Sequence, residues 1–156
     1  MEENEYRTTY HSINQNRCVF EKAINSRRCA CSQAHRFCLA DREGVACQTD
    51  LASRRCSSFL TILRDKACFA LKLSRLDGPL PHTKEMKVQI GGALGLVSLL
   101  NNQHNNTDTV EDIYRLLNEI IERYTSLDDL PFEDIVKHIV NFDARRSLSN
   151  RLKDRH

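Results

Sequence analysis

Tryptophan is absent from this chain of 156 residues, aromatic residues make up 6% of it, and there are only 5 glycines and 3 prolines. With so few rings, the core must rest on Leu, Ile, Val and Ala. So few turn formers weigh against a many-stranded β fold and favour helices joined by a few loops. No long apolar run is present either. The longest, Val88–Leu100, contains Gln89 and Ser98, and a membrane-crossing helix needs about 20 apolar residues. The acidic, polar stretch Met1–Tyr10 lacks the basic and apolar regions of a signal peptide. The expectation is a soluble, cytoplasmic protein without a membrane partner.

Cysteine is missing from everything beyond position 68, yet seven cysteines stand before it, at 18, 29, 31, 38, 47, 56 and 68. In a reducing compartment that density points to metal binding or thiol chemistry rather than disulfides. Charge divides the chain in the same way. Residues 1–75 carry 13 Lys/Arg against 8 Asp/Glu, and residues 76–156 carry 10 against 13. The break falls at Asp77-Gly78-Pro79-Leu80-Pro81, where no helix can continue. Two regions are therefore expected: a cysteine-rich metal-binding region, 1–76, and a helical packing or partner-binding region, 77–156, with one integrated domain as the alternative.

Apolar periodicity predicts an all-α fold of about five helices. A first helix is expected over Ile13–Ile24, followed by a cysteine-rich element over 29–47 that turns at Gly44. Thr49 or Asp50 caps a long helix to Leu73 whose stripe includes Ala52, Cys56, Phe59, Leu60 and Leu63. Thr83–Leu100, Val110–Tyr124 and a helix entered at Pro131 complete the set. Asn101–Thr107 is expected to be a polar loop, and Asp143–His156 a frayed tail. Glycine costs about 1 kcal/mol in a helix, so Gly91, Gly92 and Gly95 need a reason. Close approach of another helix is the expected one, and a flexible or ligand-facing turn the alternative.

The stretch Arg27–Cys38 holds three cysteines, a histidine and three arginines. Its gaps match neither the two-residue gaps of bacterial ferredoxins nor paired zinc-binding hooks. On a helix, Cys31, His35 and Cys38 share one face, with Cys29 folding back from the start and Cys47 closing the set beside a helix N-terminus, where a thiolate is favoured. Cys29, Cys31, Cys38 and Cys47 are therefore the candidate ligands, with His35 and Cys56 as alternates. Arg27, Arg28, Arg36 and Arg42 would offset an anionic centre, while Arg54 and Arg55 can be read as solvating the surface. Cys56 reads as core by its place on an apolar stripe, and Cys18 and Cys68 as structural.

Irregular gaps and surplus cysteines put an iron–sulfur cluster ahead of zinc as the cofactor. A metal-free thiol switch at Cys29 and Cys31, or buried inert cysteines, are the competing readings. No phosphate-binding loop is present, since Gly91-Gly92-x-x-Gly95 lacks the lysine, and no catalytic constellation can be named. The function expected is a small metal-binding protein with a sensing, electron-transfer or accessory role rather than an enzyme. Its protein partner would dock on the C-terminal helices. The alternative is a protein- or nucleic-acid-interaction module with structural cysteines, for which a basic N-terminal half is a weak footprint.

Overall fold

In a computed structural model of the chain, residues 2–73, 80–101 and 108–143 are described. They form α1 (Glu3–Ile13), α2 (Glu21–Asn25), β1 (Ala34–Leu39), β2 (Arg42–Cys47), α3 (Asp50–Ala67), α4 (His82–Met86), a π-turn (Lys87–Gly91), α5 (Gly92–Asn101), α6 (Ile113–Tyr124) and α7 (Phe132–Asn141). A short 3-10 turn, Leu127–Asp129, links the last two. Of the expected boundary at 77–81, the loop at 101–107 and the tail at 143–156, residues 77–79, 102–107 and 144–156 lie outside the described residues.

The fold is mostly helical but not all-α, because the cysteine-rich element is a β-hairpin. Strands β1 and β2 pair antiparallel, from Ala34 opposite Cys47 to Leu39 opposite Arg42. The chain reverses at Ala40 and Asp41, both at positive φ (51° and 67°), and not at Gly44. Two-residue hairpin turns need that handedness to follow the twist of their strands, and Asn-Gly or Asp-Gly usually supplies it. Ala-Asp conceals the signal. Gly44 lies inside β2 under the ring of Phe37, and a Cβ there would come within 2.5 Å of that ring.

The N-terminus differs as well. The acidic, polar stretch, for which no helix was expected, is α1, with Arg7 paired to Glu3 one turn away and Tyr10 buried at its end. The helix expected over 13–24 is reduced to α2, because residues 16–18 run in extended backbone beside β2. Cys18 N donates to Val45 O, Cys47 N to Asn16 O, and the Asn16 side chain returns a bond to Cys47 O. Pairing with β2 satisfies backbone groups that a helix would otherwise satisfy internally.

The long helix and the C-terminal helices match their apolar stripes. Phe59, Leu60, Leu63, Ile90, Leu96, Ile113, Leu117, Ile120, Ile135 and Ile139 are fully buried in one cluster that also takes in Phe20 and Val45. That core thus draws residues from both sides of the proline break. The helix from His82 to Asn101 is continuous but widens into the π-turn, where Gln89 is buried. Gln89 Oε1 accepts from Ala23 N and its amide donates to Glu85, which also binds Arg64.

Close approach accounts for the glycines. A Cβ at Gly91 would stand 2.6 Å from the Ile139 backbone, and one at Gly95 3.2 Å from Ile135. At Gly92 it would meet only the end of the Leu63 side chain, at 2.5 Å. Alanine gains about 1 kcal/mol of helix propensity, whereas overpacking a core costs about 1–3 kcal/mol. Gly91→Ala should therefore lower the thermal midpoint, and by more than Gly92→Ala, since backbone cannot yield as a leucine methyl can. Conversely, Ala40→Asn should raise stability by about 1 kcal/mol, because the left-handed region costs alanine about 1–2 kcal/mol. Urea titration of the three variants checks the order of the glycine effects and the sign of each change.

Candidate thiol site

Four cysteines from four separate segments line one small cavity. Cys18 arrives from the extended stretch before α2, Cys31 from the loop before β1, Cys47 from the end of β2, and Cys56 from α3. Val19, Phe20, Ala34, Ala52 and Ile113 supply apolar walls, and Gln33, Ser53 and Tyr114 complete the lining. The cavity volume is about 20 Å³, little more than one water requires.

Pairing along β2 explains how Cys18 and Cys47 meet. Arg17 bridges Ala46, which sets Cys18 and the end of β2 side by side. Cys31 is brought in by a second bridge, parallel, between Cys29 and Val110. Ala30 N donates to Val110 O, Val110 N to Arg28 O, and Ile113 N to Ala30 O. These bonds hold the Cys31 loop against the start of α6. Cys56 faces inward from the second turn of α3.

Backbone donors point at two of the sulfurs. The N–H of Phe20 hydrogen-bonds Cys18 Sγ, two residues back along the chain. The N–H of Gln33 does the same for Cys31, and the N–H of Tyr114, in the first turn of α6, adds a second bond to that sulfur. Such donors are worth most when the sulfur carries negative charge. Asp112 caps α6: its Oδ1 accepts from Tyr114 N at 3.1 Å and from Ser32 N at 3.0 Å. Cys47 is held differently, its Sγ donating to Thr49 O at 3.2 Å.

Burial dominates the acidity of these thiols. It pushes Cys18 and Cys56 up to about 12, with the other thiols of the cavity adding to the shift at each. Cys31 is raised by burial and by the charge of Asp112, against the pull of its two N–H donors. Without an occupant, burial holds Cys18, Cys31 and Cys56 as neutral thiols at neutral pH.

Of the four residues proposed from the sequence, Cys31 and Cys47 line the cavity and Cys29 and Cys38 do not. The alternate Cys56 lines it, and so does Cys18, which the sequence reading had set aside as structural. Cys29 is buried in the apolar core beside Arg28, and burial pushes it to about 12. The shared helical face of Cys31, His35 and Cys38 does not exist. In a strand His35 and Cys38 point to opposite faces, and both are exposed. Cys38 sits near the hairpin turn, four positions from Ala34, about 13 Å along the strand. Cys68 is apart, its Sγ donating to Leu73 O.

The arginines expected around an anionic centre are engaged elsewhere. Arg27 and Arg36 pair with Glu43, Arg42 with Glu3, and Arg28 stacks on Phe142. The arginine near the thiols is Arg55. Its charge favours ionisation of Cys56, its guanidinium lies 5.5 Å from the Tyr114 ring centroid, and its Nε is buried without a hydrogen-bond partner. Among the described residues, no three His, Cys, Asp or Glu side chains form a ready cage for a single ion. Nor is any described helix long and apolar enough to cross a membrane. No family model, curated protein or solved structure matches the chain.

The raised thiols carry a pH signature. A thiol whose folded value lies above its ordinary value near 9 stabilises the fold fully below that value, and the benefit is lost as pH climbs toward 12. The urea midpoint of reduced, metal-free protein should therefore fall between about pH 8.5 and 10.5. In the Cys18→Ala/Cys56→Ala variant the fall should be shallower. Equal slopes would mean that these thiols ionise freely.

Proposed function

We propose that the chain is a small metal-binding protein whose centre is held by the thiolates of Cys18, Cys31, Cys47 and Cys56. Its role is sensing, electron transfer or accessory to another protein, rather than catalysis. The observation that carries this reading is the meeting of four thiols from four segments in one apolar cavity, two of them facing backbone N–H donors. Ordinary core cysteines have no need of such donors. Four soft sulfur ligands suit zinc or an iron–sulfur cluster. The unpartnered Nε of Arg55 adds a cationic donor on the α3 side.

Of the two occupants, the cluster is favoured. A tetrahedral zinc site with Zn–S bonds of about 2.3 Å gathers its sulfurs within about 4 Å of one another. A cluster places each thiolate on its own iron, and it is the irregular gaps and surplus of cysteines in the sequence that favour it. The narrow cavity implies that side chains rotate when either occupant loads. When bound, a cluster would supply one-electron chemistry. The chain's own part is to present four sulfurs, exclude water and direct N–H groups at Cys18 and Cys31. Loading must also release protons from thiols that are neutral in the empty site.

Purification without oxygen, followed by visible spectroscopy and metal analysis, tests this reading. Brown protein with about four iron and four sulfide per chain is expected for a cubane, and colourless protein with about one zinc per chain would replace the cluster with zinc. Cys18→Ser and Cys56→Ser should each abolish the metal and lower stability, since a centre that lacks a ligand loses much of its contribution to folding. Cys38→Ser should retain it. Folded, metal-free protein with seven free thiols would overturn the proposal, and loss of the metal in Cys38→Ser but not Cys18→Ser would overturn the ligand set.

A further inference from the structure

We infer that the cavity is a disulfide-forming site: in the metal-free protein, a hydroperoxide joins Cys47 to another of the cavity's thiols, Cys18, Cys31 or Cys56. The cavity is that of the metal reading, but this chemistry requires no metal. The place of Cys47 in the fold carries it. The bonds from Cys18 N to Val45 O (2.9 Å) and from Cys47 N to Asn16 O (2.8 Å) flank the Arg17–Ala46 pair. Cys18 and Cys47 each stand one residue beyond that pair, so both face the side of the ribbon opposite to Arg17 and Ala46. On the other edge of β2, Cys47 lies across from Ala34, and Ala34 N donates to Cys31 O at 3.1 Å. Cys47 is thus the thiol on the middle strand, with Cys18 on one side and Cys31 on the other, and α3 brings Cys56 to the same cavity.

Pairwise chemistry suits this arrangement. No three of the described His, Cys, Asp or Glu side chains are grouped around one point, but a disulfide needs only two sulfurs. The four thiols line a space of about 20 Å³, so side-chain rotation is the motion that brings two of them together. Cys47 meets the oxidant first, since its bond to Thr49 O lies on the exposed side of the site. Its sulfur attacks the peroxide, the O–O bond breaks, and the departing hydroxide leaves as water with the thiol proton. The sulfur is now a sulfenic acid. A second thiol attacks it, the S–O bond breaks, the S–S bond forms, and a second water leaves. The peroxide gains the two electrons that the two thiols lose. The thiolate is the attacking form, and burial keeps Cys18 and Cys56 neutral, so closure falls toward the slow end of the seconds-to-hours range of disulfide formation. A closed pair uses two of the four sulfurs, so oxidation and metal loading exclude one another.

The experiment exposes reduced, chelator-treated, full-length protein to hydrogen peroxide at micromolar protein concentration. Remaining thiols are then alkylated and cross-linked peptides are mapped by mass spectrometry. Alkylatable thiols should fall by two from the seven of the reduced chain, in a monomer, and dithiothreitol should restore them. The cross-linked peptide should join Cys47 to Cys18, Cys31 or Cys56. Cys47→Ser, which exchanges sulfur for oxygen and little else, should form no intramolecular cross-link. Oxidised wild type should take up no zinc until it is reduced. Seven alkylatable thiols after hours of exposure, or a cross-link through Cys29, Cys38 or Cys68 in place of Cys47, would overturn the disulfide site and leave the metal reading standing. Reduced protein that closes the disulfide but takes up neither iron nor zinc would support the disulfide site and overturn the metal reading alone.

Discussion

The parallel bridge between Cys29 and Val110 is the contact on which the rest of the site depends. Two segments some 80 positions apart in the chain are tied there by backbone bonds, which only a proline at a donor position would remove. A bridge this short is weak by itself, each bond contributing only about 0.5–1.5 kcal/mol net. It persists because Ile113, Leu116 and Leu117 of α6 are buried in the same core as Phe59 and Leu60 of α3. Packing of the C-terminal half thus fixes a loop of the N-terminal half, and the loop carries Cys31. The cysteine-rich region and the helical region meet at the thiols.

A second constraint is polar and lies behind the cavity. Glu21 is buried and accepts from the Tyr10 hydroxyl and from Val45 N through one oxygen, and from Arg17 through the other. An unpaired carboxylate there would be costly. With those partners it joins α1, α2 and β2, so the extended stretch carrying Cys18 cannot slide along the hairpin. Gln89 does similar work from the π-turn, binding Ala23 N and Glu85. Burial of polar groups in this protein specifies which segments are neighbours.

The helices beyond the proline break were legible in the sequence, because Ile113, Leu117, Ile120, Ile135 and Ile139 recur at helical spacing and are the residues that are buried. So was the packing reason for Gly91 and Gly95. The hairpin was not, since Ala-Asp is a poor advertisement for a left-handed turn and the apolar residues of β1 and β2 are too few to show alternation. That difference undoes one geometric argument: placing Cys31, His35 and Cys38 on a helix put them on a shared face, whereas the strand Ala34–Leu39 carries Cys38 away. Cys18 was hidden, and Cys56 ranked only as an alternate, for a different reason. Their nearness to Cys31 and Cys47 is created by a bridge, Arg17 to Ala46, and by the docking of α3, neither of which leaves a local mark. What was legible was a surplus of thiols in one half and two of the four that line the cavity, Cys31 and Cys47.

The two-residue turn at Ala40 and Asp41 has a reach beyond the hairpin it closes. Successive residues of a strand face opposite ways, so the pairing that sets Cys47 across from Ala34 also decides which side of the ribbon its sulfur occupies. Lengthening the turn by a single residue would present Ala46 or Gln48 to the cavity instead, while every residue near the thiols kept its identity. The turn acts as a counting device.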